Sequence, residues 1–192
     1  MSLHAPAEGW YSKKVASDEK WWVALAATVC LITFFWMVIW HVYGKQNPGH
    51  QTYKIKEAEF MQLSEAFNKK HQIGEENGIP VVAPPSNGDV FLTAQMWRWS
   101  SIPVLVKNEW YTFHLSSADV CHGFSVQPIN MNFMVLPGYD YVLRFKPNAA
   151  GDYKMFCNEF CGIGHQTMIG KIIVVETQEE IQNLKLTQPK NP

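Results

Sequence analysis

The sequence predicts a mainly β domain, a small Greek-key sandwich or barrel, carried behind a single N-terminal transmembrane helix. An uninterrupted apolar run of membrane length lies near the N-terminus. From Asp89 onward, short segments rich in Val, Ile, Phe and Tyr alternate with turn residues. A chain of 192 residues leaves room for one folded domain plus appendages.

Residues 21–43 read WWVALAATVCLITFFWMVIWHVY, with no formal charge between Lys20 and Lys45. At 1.5 Å per residue this run crosses the ~30 Å hydrocarbon core of a bilayer. Trp21, Trp22, Trp40 and Tyr43 stand at its ends, where interfacial aromatics sit. It is too long for a cleaved signal, and HVYGKQ offers no small-residue cleavage site. Cys30 inside it is a small apolar packing residue. Lys13, Lys14 and Lys20 before the run balance Lys45, Lys54 and Lys56 after it, so charge bias does not set the orientation.

Residues 1–20 form an N-terminal segment. Residues 44–88 read as a linker: Pro48 and Gly49 break the chain, KEAEFMQLSEAFNKKH forms a short helix with Phe60, Leu63 and Phe67 on one face, and QIGEENGIPVVAPPSNG is rich in turns. The β domain occupies residues 89–176. Its segments are DVFLTAQMWRW, IPVLVKNEWYTFHLS, FSVQPINMNFMVL, YDYVLRFKP, GDYKMFC and KIIVVE. Short strands at this spacing indicate a sandwich or barrel. Residues 177–192 form a tail with a short helix through EEIQNLK.

Composition excludes some classes. The chain is 47% hydrophobic with a net charge of −1, without the basic excess that a nucleic-acid partner needs. Four cysteines, Cys30, Cys121, Cys157 and Cys161, are too few for a disulfide scaffold. There is no C-x-x-C-H haem attachment sequence.

The strongest signal is C157-N-E-F-C161-G-I-G-H165-Q-T-M168, a C-x-x-x-C-x-x-x-H-x-x-M pattern. Thiolate, imidazole and thioether side chains held close together favour copper, whereas zinc sites use Cys and His without Met. Gly162 and Gly164 let the loop turn tightly. Cys157, Cys161, His165, Met168, the Glu159 carbonyl and the distant His122 can converge on one point. Taken alone, the two cysteines also fit a structural disulfide. Cys121, adjacent to His122, points the other way on a strand and reads as a buried thiol. Met96, Met131, Met134 and Met155 read as packing residues. Asp119 serves the turn before His122. Trp97 and Trp99, at alternate positions, are expected on one strand face.

D119-V-x-H122-x-F124, V135-L-P-G, A-G-D-Y-x-x-x-C and C-x-E-x-C-G-x-G-H-x-x-M resemble the CuA domain of haem–copper oxidase subunit II, over roughly residues 89–176 plus the anchor. The resemblance implies a cupredoxin-like fold and a binuclear copper centre. One copper would be held by His122 and the Glu159 carbonyl, the other by His165 and Met168, with Cys157 and Cys161 bridging both. It implies a magnesium ion as a second role for the Glu159 side chain, which on its own residues reads as a solvated or hydrogen-bonded carboxylate. It also implies electron entry at an aromatic patch, here Trp97 and Trp99, from cytochrome c or another soluble donor. Electrons would pass to the haems of a catalytic subunit I, where dioxygen is reduced, with small subunits as further partners. The C-terminal domain would face the periplasm or cell exterior, leaving residues 1–20 cytoplasmic. The short loop and single anchor look most like the B-type branch. A CuA subunit of a nitric oxide reductase fits the same residues. A membrane-anchored copper chaperone shares the C-x-x-x-C pair and a distant His, but such proteins carry a βαβ pattern that is not seen here.

Overall fold

The computed structural model describes residues 8–12, 14–44, 50–129 and 131–187. They divide into two units, Met1–Asn47 and Pro48–Pro192. Lys13, Lys45, the Pro48–Gly49 break and the last five positions of the tail lie outside the described residues.

In the first unit the apolar run forms helix α1 (Ser17–Tyr43), one turn longer at its N-terminus than the apolar run. It buries none of its residues, and its most apolar 18-residue stretch has a mean hydropathy of 2.3, long and apolar enough to cross a membrane. Asp18 and Glu19 in the first turn complement the positive end of the helix dipole.

The second unit follows the order β1 (His50–Lys54), α2 (Glu57–His71), β2 (Gln72–Glu76), β3 (Ile79–Val82), β4 (Asp89–Gln95), β5 (Arg98–Trp99), β6 (Ile102–Val106), β7 (Tyr111–Ser117), β8 (His122–Gln127), β9 (Met131–Val135), β10 (Tyr139–Phe145), β11 (Gly151–Phe156), β12 (Ile169–Val175) and α3 (Gln178–Thr187). One sheet has the order β1-β10-β7-β4-β5 and the other β2-β3-β6-β12-β11-β8-β9. Strand β4 pairs parallel with β7, and β6 pairs parallel with β12, so each sheet mixes parallel and antiparallel neighbours. Val90, Leu92, Phe113 and Leu115 of one sheet meet Phe124, Val126, Met155 and Ile172 of the other in one buried cluster. Each such side chain contributes about 1.5–3 kcal/mol by leaving water.

The linker reading of residues 44–88 is corrected. Strand β1 pairs antiparallel with β10 from His50↔Leu143 to Lys54↔Tyr139. Asn77 and Gly78, with φ of 52° and 77°, close a two-residue hairpin between β2 and β3. The turn-rich segment QIGEENGIPVVAPPSNG does hold a turn at this Asn-Gly pair, whose residues tolerate the left-handed region, but the turn joins two paired strands and is no linker. Strand β3 then pairs parallel with β6. The domain therefore begins near residue 50 and not at 89.

Helix α2 lies on the outer face of the five-stranded sheet. Phe60 and Phe67 each approach Phe91 with ring centroids 5.9 Å apart, and Phe91 stacks on His114 at 4.5 Å. Ser64, not Leu63, completes the buried stripe; Leu63 faces solvent. The tail also belongs to the fold, since Ile181 of α3 is buried with Val104, Val106 and Val175.

Candidate metal centre

Strand pairing brings the proposed ligands together. Strand β8 runs antiparallel to β11, with Ser125↔Phe156 in register, so His122 at the start of β8 lies beside Cys157 just after β11. The loop between β11 and β12 is closed at its base by Cys157 N–H donating to the Met168 carbonyl at 3.2 Å. A 3-10 turn at His165–Thr167 is fixed by His165 N–H to Gly162 O (3.1 Å) and Thr167 N–H to Gly164 O (2.9 Å). This turn returns His165 and Met168 to the cysteines.

Cys157 Sγ lies 3.7 Å from Cys161 Sγ, 3.7 Å from His122 Nδ1 and 3.2 Å from the Glu159 carbonyl oxygen. Cys161 Sγ lies 3.6 Å from His165 Nδ1 and 4.0 Å from Met168 Sδ. Imidazole and thiolate bonds of about 2.0 and 2.3 Å in a tetrahedral arrangement put donor atoms roughly 3.5–3.8 Å apart. The donor set therefore fits metal ions seated between these atoms. It also divides into two groups: His122 and the Glu159 carbonyl beside Cys157, and His165 and Met168 beside Cys161. The two thiols are free, so the disulfide alternative does not hold here.

His122, Cys157, Cys161 and Met168 are buried, whereas His165 is half-buried and its ring meets exposed Phe160 at 5.9 Å. Burial first, then the hydrogen bond and charge of Cys157, push the Cys161 thiol up to about 11. A metal must displace that proton, because the thiolate is the ligand.

Asp119 does more than serve its turn. It accepts from His122 Nε2–H at 2.7 Å, from Met96 N–H at 2.7 Å and from Val120 N–H at 2.7 Å. Burial pushes its carboxyl up, but these hydrogen bonds and the His122 charge outweigh that and hold it below the ordinary value. The D-x-x-H spacing was the sequence signal for this contact. Gly123 is required at the site, because a Cβ there would collide with the Asn158 side chain. Its N–H donates to Cys157 Sγ at 3.5 Å.

The two tryptophans do not share a face. Residues 96 and 97 turn the chain between β4 and β5, so the alternation expected of one continuous strand is lost. Trp99 is only 2% exposed and packs edge-on against Phe124 in the core. Trp97 is 42% exposed, and its indole lies over Gly164 so closely that a Cβ there would strike the ring. Electron entry at Trp99 is therefore withdrawn. Met155 is core and Met131 packs against it, but Met96 and Met134 are exposed, contrary to the packing reading. Cys121 is half-buried and precedes β8 rather than lying within a strand.

The family described as cytochrome c oxidase subunit II, periplasmic domain, matches residues 95–177. A cytochrome c oxidase subunit 2 of Thermus thermophilus is 37% identical over 93 residues, which cover 48% of this chain and 69% of that relative. The chain belongs to the cytochrome c oxidase subunit 2 family. A second subunit 2 from the same species matches equally well over 55% of its length. A haem–copper oxidase subunit 2 of Aeropyrum pernix is 38% identical over 69 residues, covering 35% of this chain and 30% of the relative. A chain of a haem–copper terminal oxidase dimer solved by cryo-electron microscopy has the same fold. Its TM-score is 0.53 at 24% identity, over 82% of this chain and 99% of that one. This subunit of cytochrome c oxidase, an oxidoreductase, thus joins a two-sheet β domain to an apolar helix of membrane length.

Proposed function

We propose that this subunit II holds a binuclear copper centre and carries electrons from a soluble cytochrome c to the haems of subunit I. The observation that carries the proposal is the division of six donors into two sets around the Cys157–Cys161 pair. Cys157 and Cys161 would be shared by both ions; His122 and the Glu159 carbonyl would hold one copper, and His165 and Met168 the other. Shared thiolates spread a single charge over the pair of ions, which keeps bond-length change small on reduction. The chain's part is rigidity: β8, β11 and β12 fix the ligands at the end of a packed sheet, and burial excludes water from His122 and both thiols. Every donor is supplied by the protein, which suits electron transfer more than substrate binding.

His165, Phe160, Ile163 and Trp97 lie on the loop and turn that face solvent, with Phe160 79% and Ile163 90% exposed. An apolar surface at the half-buried ligand supports donor docking there. The domain is proposed to lie outside the cytoplasm with α1 as anchor. The single spanning candidate among the described residues supports the B-type branch. A magnesium ion at the Glu159 carboxylate would draw oxygen ligands from another subunit, because the described residues hold one cluster of three or more ligating His, Cys, Asp or Glu side chains, His122, Cys157 and Cys161.

The test is stopped-flow reduction of the complex containing this chain. Bleaching of a copper band before haem reduction, driven by reduced cytochrome c, supports the role. Haem reduction with no preceding copper signal contradicts it.

A further inference from the structure

We propose that a notch between the start of β12, the β2–β3 turn and the β5–β6 junction binds a small oxyanion of the phosphate type. The cavity measures about 190 Å³ and is walled by Glu76, Trp99, Ser101, Lys154, Gly170 and Lys171. Since liquid water occupies ~30 Å³ per molecule, it has room for a group much larger than one water.

Three features define the ligand. Lys154 and Lys171 are direct partners across the β11–β12 ladder, an arrangement that like charges disfavour. Lys171 Nζ is answered by Glu76 Oε1 at 2.9 Å, whereas Lys154 has no carboxylate partner among the described residues. Lys154 is solvent-exposed and lines the cavity, so an ammonium free of any carboxylate is available there. Deeper in, Trp99 Nε1 and Ser101 Oγ are buried without any hydrogen-bond partner. Trp99 is 2% and Ser101 0% exposed. The Cδ1 edge of the indole, next to Nε1, faces the cavity wall at Gly170: a Cβ there would lie 2.6 Å from Cδ1. An indole N–H only donates and a serine hydroxyl readily does, so each calls for an acceptor. Trp99 and Ser101 both line the cavity, and their unpartnered donors beside a Lys154 ammonium free of any carboxylate suit a compact, acceptor-rich anion.

Isothermal titration of the full chain in neutral detergent with inorganic phosphate, at fixed ionic strength and with chloride as control, tests this. Saturable binding at one site per chain is expected. Lys154→Gln should weaken it about tenfold, the effect of one lost charge-assisted hydrogen bond. Ser101→Ala should weaken it less. Glu76→Gln should tighten it, because a competing carboxylate is removed and Lys171 is freed. A second arm replaces phosphate with glycerophosphoglycerol, a soluble phosphodiester headgroup. Tighter binding of the diester assigns a lipid headgroup as the source, and tighter binding of inorganic phosphate assigns the free ion. No saturable heat with either probe, or Lys154→Gln and Glu76→Gln variants that are folded by circular dichroism and bind as the parent does, would overturn the proposal.

Discussion

His122 is wholly buried, and its Nε2 donates to Asp119 Oδ1 at 2.7 Å while its Nδ1 faces Cys157 Sγ at 3.7 Å. The carboxylate therefore sets which nitrogen is free to ligate. An outer partner of this kind orients a metal-bound imidazole and raises its basicity.

Asp119→Ala is expected to lower copper affinity roughly 10–100-fold and to raise the reduction potential, because a negative charge next to the ligand is lost. Asp119→Asn keeps an acceptor and should lose less. Competition with a chelator and a redox titration measure both effects. Equal affinity and potential in all three proteins would remove Asp119 from the account.

The ligand series is ordered by what each atom touches. Cys157→Ser or Cys161→Ser should abolish the binuclear signal, because the two sulfurs lie 3.7 Å apart and join the His122 set, beside Cys157, to the His165 set, beside Cys161. Met168→Leu should keep copper while shifting spectrum and potential, since a thioether is a weak neutral ligand. Cys121→Ser should leave the spectrum unchanged. Optical and electron paramagnetic spectra of the four variants decide the order. A silent Cys157→Ser beside a disruptive Cys121→Ser would reverse the assignment.

The tryptophans should separate cleanly. Trp97→Ala is expected to slow reduction by cytochrome c with the copper spectrum intact, because the exposed ring lies on the Gly164 loop. Trp99→Ala should instead cost about 3–5 kcal/mol of stability, the usual effect of emptying a large aromatic site. Stopped-flow kinetics and denaturant melts measure these separately. Unaltered reduction kinetics in Trp97→Ala would end the docking role of that ring.

Much of this was legible in the sequence because it rests on local spacing. The Cys157–Met168 pattern, the membrane-length run and the strand texture after Asp89 each depend on near neighbours. What escaped depends on distant pairing. Nothing local to residues 50–54 says that they join Tyr139–Leu143, so β1 read as linker. The Asn77–Gly78 hairpin read as turn-rich linker because its partner surface, β6, lies over 20 residues downstream. Trp97 and Trp99 obey strand alternation on paper, but a turn at residues 96 and 97 puts one on the surface and the other in the core. Asp119 was visible as a turn residue, and its hold on His122 needed the fold.

The most direct measurement is copper content combined with electron paramagnetic resonance on the full chain after loading with copper. The account predicts two copper ions per chain and one unpaired electron shared between them, seen as hyperfine structure from both nuclei. A single copper with one four-line pattern, or preferential retention of zinc, would contradict it.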